Sequence, residues 1–214
     1  GVGRFPANLT TGLDGSIWAV NWKSNSVQQI VSESGVWTAQ AAIDVGMGPT
    51  ALTTGLDGSI WVLNWLNTGS RLKHSGNNTV QQIVNDNGVW TVQAAIVLGE
   101  NVMGATTGPD GLTTGRDGSI WVVNIGTDTV QQIVNDNDVW KAQAPIAVGH
   151  SKYSNGNSNV QYGLTTGRDG SIWVVSTYPA FVQQIAVPPD APFALAAVFE
   201  SATSEMTLAW RRPV

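Results

Sequence analysis

Leu9-Thr10-Thr11-Gly12-Leu13-Asp14-Gly15-Ser16-Ile17-Trp18 is written four times in this chain, returning at 52–61, 112–121 and 164–173, with only the residue before the aspartate alternating between Leu and Arg. Successive copies start 43, 60 and 52 residues apart, so a core unit near 43 residues carries insertions. A second block, Val-Gln-Gln-Ile, recurs at 27–30, 80–83, 130–133 and 182–185. A third, Val-Trp with a Gln three residues after the Trp, recurs at 36–40, 89–93 and 139–143 and is missing from the fourth copy. Self-similarity at such a period marks a repeat architecture and precedes any local reading.

Each unit reads as four short strands. Strand a is Leu-Thr-Thr, and the Asp-Gly pair after it suits the positive φ angles of a tight hairpin. Strand b, Ile120-Trp121-Val122-Val123-Asn124 in the third copy, is apolar at successive positions, which predicts burial on both faces between stacked sheets. Strand c is Thr-Val-Gln-Gln-Ile-Val. Strand d, Val89-Trp90-Thr91-Val92 and onward in the second copy, follows the turn at 85–88. Helical periodicity is absent. Four strands in about 43 residues is the period of a propeller blade. The expected fold is therefore an all-β propeller of four repeated four-stranded blades over residues 1–187, the last blade incomplete, with a short C-terminal β segment over 188–214.

The 214 residues suffice for one large domain or for a domain with a small appendage. Only 12% of them are charged and 42% are hydrophobic, a globular composition. The net charge of -5 and the lack of a basic stripe argue against a nucleic-acid partner, whose phosphates demand Lys and Arg. With no cysteine there are no disulfides, thiolate nucleophiles or Cys-ligated metals. No apolar run approaches the ~20 residues of a membrane-spanning helix, so membrane insertion is not expected. Starting at Gly1 without an initiator Met, the chain is expected to have a processed or cut N-terminus.

Gly163-Leu164-Thr165-Thr166-Gly167-Arg168-Asp169-Gly170-Ser171-Ile172-Trp173 resembles the blade signature of the streptogramin-lyase-like propellers, and is similar to NHL-type and bacterial β-propeller repeats. The resemblance covers about residues 9–186 and implies the fold rather than an activity. In the lyases it implies strand b ending in Thr-Glu, with His, Glu and a magnesium ion in the active site. Here the corresponding ends are Asn21, Asn64, Asn124 and Ser176. That departure leads to the expectation of no enzyme, no catalytic residues, no metal and no cofactor. After the proline-rich break at 188–192, the stretch 193–213 with Thr207-Leu208-Ala209-Trp210 resembles the first two strands of a fibronectin type III domain. A whole sandwich of that type needs about seven strands, so the expectation is a fragment of a longer protein. The alternative reading makes these the strands that complete the fourth blade.

Insertions fall between strands b and c at 66–78, and between d and the next a at 97–111 and 148–163. In an up-and-down blade both kinds of connection emerge on one face, while the invariant Asp-Gly and Asn-Gly turns emerge on the other. Binding residues concentrate on variable loops held by rigid scaffolds, which makes the inserted face the candidate functional face. Simple tolerance of insertions there explains the pattern equally well. Trp18, Trp61, Trp121 and Trp173, like Trp37, Trp90 and Trp140, repeat with the unit and are assigned to packing between blades. Trp22 and Trp65 occur in only two copies, at the start of the b-to-c loop, where an indole can stack on a sugar or an apolar partner. His74 and His150 lie in the inserted loops near Arg71, Lys73, Lys152 and Tyr153. Two histidines without an acidic partner make a poor metal or proton-transfer site. The ligand-binding candidates are thus Trp22, Trp65, Arg71, His74, His150, Lys152 and Tyr153. The Gln pairs are assigned to backbone hydrogen bonds, and the repeated aspartates to turns rather than calcium.

Two functional classes follow. The favoured one is a non-enzymatic binding or structural module of an extracellular or cell-surface protein, presenting loops on one face to a glycan or protein partner. The other is a lyase- or hydrolase-like propeller with a metal site on the same face. Gly1-Val2-Gly3 matches Val45-Gly46 and Val148-Gly149, the ends of earlier strand d segments. A fourth blade without its own strand d leaves an edge that invites pairing. The array is expected either to close within the chain or to be completed by a neighbouring subunit in a homo-oligomer.

Overall fold

The computed structural model describes residues 1–65, 78–98, 109–124, 127–148, 162–177, 180–186 and 195–197. Each repeat forms one antiparallel sheet, and the four sheets stack as blades of a β-propeller. Blade 1 holds β1 (Pro6–Thr11), β2 (Ile17–Asn21), β3 (Ser26–Glu33), β4 (Val36–Ala39) and β5 (Ile43–Asp44). Blade 2 holds β6 (Pro49–Thr54), β7 (Ile60–Asn64), β8 (Thr79–Asp86), β9 (Val89–Val92) and β10 (Ile96–Val97). Blade 3 holds β11 (Pro109–Thr114), β12 (Ile120–Asn124), β13 (Thr129–Asp136), β14 (Val139–Ala142) and β15 (Ile146–Ala147). Blade 4 holds β16 (Tyr162–Thr166), β17 (Ile172–Thr177), β18 (Ala180–Ala186) and β19 (Leu195–Ala197). The innermost strands β1, β6, β11 and β16 lie side by side in that order.

Strands b and c pair in one register throughout: Trp18, Trp61, Trp121 and Trp173 face Gln29, Gln82, Gln132 and Gln184. Strand b is buried along its length in blade 2, as its unbroken apolar run requires. The outer strand is less regular than its sequence reads. It breaks after Ala39, Val92 and Ala142, and a short second piece returns to pair with the start of strand c. The turn between a and b is also longer than two residues. Gly12 N–H donates to Ser16 O at 2.8 Å and Gly15, at φ 81°, closes the bend on Gly12 O.

Three cores glue the blades together, each made from the leading face of one blade and the trailing face of the next. Between blades 1 and 2, Trp18, Val20 and Val27 meet Leu52, Ile60, Val62 and Ile83. Trp90 stands edge-on to Trp18, and Trp140 edge-on to Trp61, with ring centroids 4.6 Å apart in both pairs. Trp37 departs from its sequence assignment. It belongs to the same repeat position but is 56% exposed, because none of the described blades packs on that side of blade 1. Among the described residues no core joins blade 4 back to blade 1, and as far as they go the four blades form an open arc.

Leu195–Ala197 pairs antiparallel with β18, with Gln184 opposite Ala197 and Ala186 opposite Leu195, and so occupies the outer position of blade 4. The fibronectin-like reading of the tail finds no counterpart among the described residues. The rest of that stretch, 187–194 and 198–214, lies outside them.

Candidate functional site on the loop face

The Asp-Gly turns lie at one end of strand b and the described connection at Trp22–Ser24 lies at the other. On the turn side, each Asp of the repeat organises a closed network. Asp14 accepts from Ser16 N–H at 3.0 Å and from the Ser16 hydroxyl at 2.5 Å, and its second oxygen accepts from Gln29 at 3.2 Å. The Ser16 hydroxyl in turn accepts from the Trp18 indole N–H at 3.0 Å. Asp57, Asp117 and Asp169 hold Ser59, Ser119 and Ser171 in the same way, and Gln82, Gln132 and Gln184 complete the sets. The Ser16 hydroxyl holds the Asp14 carboxyl below the usual carboxylate range, and Ser171 does the same for Asp169. These carboxylates are spent on the turn, which agrees with assigning them to turns.

The Gln pair divides its work. The first Gln bonds backbone as expected: Gln28, Gln81 and Gln131 donate to Gln40 O, Gln93 O and Gln143 O, and the Gln28 and Gln81 side-chain oxygens accept from Gly3 N–H and Gly46 N–H. The second Gln reaches the aspartate side chain, a role the sequence reading missed although its fixed distance from Asp was visible.

On the loop face the structure brings two of the sequence candidates together. Trp22 opens a 3-10 turn, Trp22–Ser24, directly after β2, and is 37% exposed. Its N–H donates to Phe5 O at 2.9 Å, and one blade on, Trp65 N–H donates to Gly48 O at 2.9 Å. Gly48 sits between the two tryptophans at φ 62°. A Cβ there would lie 2.2 Å from Trp65 O and 3.4 Å from Trp22 Nε1. The Asn25 side chain ties the loops by accepting Gly48 N–H at 2.9 Å. Phe5 and Met47 are exposed beside them, and the Lys23 ammonium lies 4.3 Å from the centre of the Phe5 ring. The result is an apolar, aromatic patch with a cation at its rim. Sequence reasoning missed Phe5, Lys23 and Met47. Phe5 occupies the place of Gly48 at φ 54°, a conformation only the assembled loop reveals.

Arg71, His74, His150, Lys152 and Tyr153 lie outside the described residues. The ends of strand b that the resemblance singled out are placed: Asn21 and Asn64 are buried beneath this face, and the Oδ1 of each finds no hydrogen-bond partner. Among the described residues no three His, Asp or Glu side chains gather as a metal site.

No family model matches the sequence, and no curated protein aligns with it significantly. Solved structures do share the fold. Virginiamycin B lyase from Staphylococcus aureus superposes with a TM-score of 0.59 at 17% identity, over 93% of this chain and 56% of the lyase. The periplasmic gluconolactonase of Pseudomonas aeruginosa gives 0.52 at 15% identity, over 89% of this chain and 70% of the other. An auxiliary nutrient binding protein from Bacteroides thetaiotaomicron gives 0.60 at 10% identity, over 90% and 41%. The chain thus spans little more than half the length of the lyase. These neighbours overturn the expectation that the chain is not an enzyme, because the architecture it shares is one that a lyase and a gluconolactonase use. The sequence argument had rested on the ends of strand b alone, and a shared scaffold leaves chemistry to its loops.

Proposed function

We propose that the loop face is a binding surface for a glycan or protein partner, centred on Trp22 and extending over Phe5, Met47 and Trp65. The observation that carries this reading is the exposure of Trp22, whose indole nitrogen lies near Gly48 together with the Trp65 backbone, at the end of strand b opposite the Asp-Gly turns. An indole offers a large flat apolar surface with a polar N–H edge, suited to stacking on a sugar ring or anchoring a protein contact. The chain works outside the cytoplasm in this reading. Its low charge and its polar Asn/Ser/Thr loops support that placement, and no helix of the described residues is long and apolar enough to cross a membrane.

The test is a titration of neutral and acidic oligosaccharides followed by tryptophan fluorescence, repeated with Trp22→Ala and Trp65→Ala. A saturable response that Trp22→Ala weakens at least tenfold, with unchanged circular dichroism, is the expected result. Equal affinity of wild type and both variants for every ligand that binds would remove the patch from the function. Because proteins of this architecture include a lyase and a gluconolactonase, the titrated samples are also analysed for product. Turnover would assign the same face to catalysis.

A further inference from the structure

The three internal cores repeat one recipe, and the arc ends on an unused half of it at either side. The leading face that Trp18, Val20 and Val27 form in blade 1 is formed in blade 4 by Trp173, Val175 and Val182. Val175 is 43% exposed and Val182 50%, whereas their counterparts Val20, Leu63 and Val123, and Val27, Val80 and Val130, are all fully buried. The trailing face that Leu52 and Ile83 help to form in blade 2 is formed in blade 1 by Leu9 and Ile30. Leu9 is 62% exposed and Leu52 only 5%. A hollow lined by Val2, Pro6, Leu9, Ala19 and Ile30 opens on that face. Trp37, exposed on the outer strand of the same blade, is the ring that would stand edge-on to Trp173, as Trp90 does to Trp18.

The polar contacts between blades are equally regular. Thr54, Thr114 and Thr166 donate to the carbonyls of Thr11, Thr54 and Thr114 at 2.8 to 2.9 Å, and their hydroxyls also meet those of Thr10, Thr53 and Thr113. Continuing the pattern, Thr11 would donate to Thr166 O and meet Thr165. The turn glycines Gly58, Gly118 and Gly170 are covered by Leu13, Leu56 and Arg116 of the preceding blade, while Gly15 has nothing near it. Gly3 N–H donates to Gln28 as Gly46 N–H does to Gln81, which places Val2 where Val45 sits. Val45, at the end of the outer strand of blade 1, packs against the core between blades 1 and 2, so Val2 stands where the closing residue of a blade packed ahead of blade 1 would stand.

We propose that two copies of this chain close head to tail into one ring, the leading face of blade 4 in each copy covered by the trailing face of blade 1 in the other. The occupant is a second copy because each end of the arc already carries the side chains that the other end's partner position requires. Two copies of four blades supply eight, within the usual range of roughly four to eight blades for a closed ring. Both contacts of such a pair are heterologous yet close on themselves, which limits the assembly to a dimer. Val2 of one copy would complete blade 4 of the other, whose described strands include no counterpart of β5.

The chain has no cysteine, so a crosslinking test is free of background. Thr11→Cys and Thr165→Cys are made as separate variants, and Thr53→Cys/Thr114→Cys serves as an internal control across a contact known to lie within the chain. The expected results are a dimer mass by light scattering for the wild type, a covalent two-chain product under mild oxidation only when the two single variants are mixed, and at least tenfold weaker dimerisation of Trp37→Ala with unchanged circular dichroism. A monomer at about 100 μM would overturn the proposal, and would leave the ends to further repeats of a longer chain. Crosslinking of Thr11→Cys to itself would overturn it in favour of a back-to-back pair, and masses growing with concentration would overturn it in favour of an open filament.

Discussion

At the scale of single residues, the repeat is held by the Asp-Ser-Gln network more than by any ionic contact. Asp57 satisfies the Ser59 N–H, the Ser59 hydroxyl and Gln82 at once, with Ser59 and Gln82 buried. Asp57→Ala would leave buried donors unmatched, a loss of about 1–3 kcal/mol in urea denaturation. The glycine before each Asp is needed for the same network. A Cβ at Gly55 would lie 2.6 Å from Asp57 Oδ1 and 2.8 Å from Ser59 Oγ, so Gly55→Ala should destabilise to a similar degree while leaving the loop face unaltered. The pH dependence has a definite sign. Asp14 and Asp169 bind their proton less readily folded than unfolded, because Ser16 and Ser171 donate to the carboxylates. Their contribution is present above the ordinary Asp range near 3.8 and fades as the pH falls through the lowered values. Both carboxylates are exposed to solvent, so the loss is small, and Ser16→Ala should shrink it further in an acid titration of stability.

At the scale of elements, strand b is where stability concentrates, since it is buried on both faces and supplies the tryptophan of each leading face. Trp61 is buried and stands against Trp140 from the next blade. Trp61→Ala is expected to cost about 3–5 kcal/mol in chemical denaturation. Trp37→Ala in a dilute sample should cost under about 1 kcal/mol, because that ring touches no preceding blade. The contrast shows what the sequence could convey. Gly-Leu-Asp-Gly-Ser-Ile-Trp spells a turn and a doubly buried strand, and its recurrence spells a stack of blades. It says what a tryptophan packs on in a neighbouring blade but not whether that neighbour exists. The break in the outer strand is illegible in the first two copies, since Gln40-Ala41-Ala42 and Gln93-Ala94-Ala95 carry neither Gly nor Pro, and only Pro145 in the third copy announces it. Of the loop-face patch, Trp22 and Trp65 were legible because they depart from the repeat. Phe5 and Met47 read as ordinary apolar residues until the backbone brought them beside Trp22.

At the scale of the whole molecule, four blades joined by three cores behave as a short linear array, each blade stabilised by its neighbours. Blades 2 and 3 are covered on both faces, whereas blade 1 exposes its trailing face and blade 4 its leading face. An isolated arc should therefore open from its ends, and hydrogen exchange should report it. In dilute solution the amides of Ile60–Asn64 and Ile120–Asn124 should be the slowest, and those of Ile17–Asn21 and Ile172–Thr177 should exchange faster through partial unfolding of the end blades. Ring closure by a second copy supplies the missing fourth kind of core, covering Leu9 and Trp37 with Trp173, Val175 and Val182. Raising the concentration through the dimerisation range should then slow exchange in blades 1 and 4 selectively and level the gradient, while Trp37→Ala keeps it steep. A gradient that stays unchanged with concentration would mean that the two faces do not find each other, whatever other contact a dimer makes.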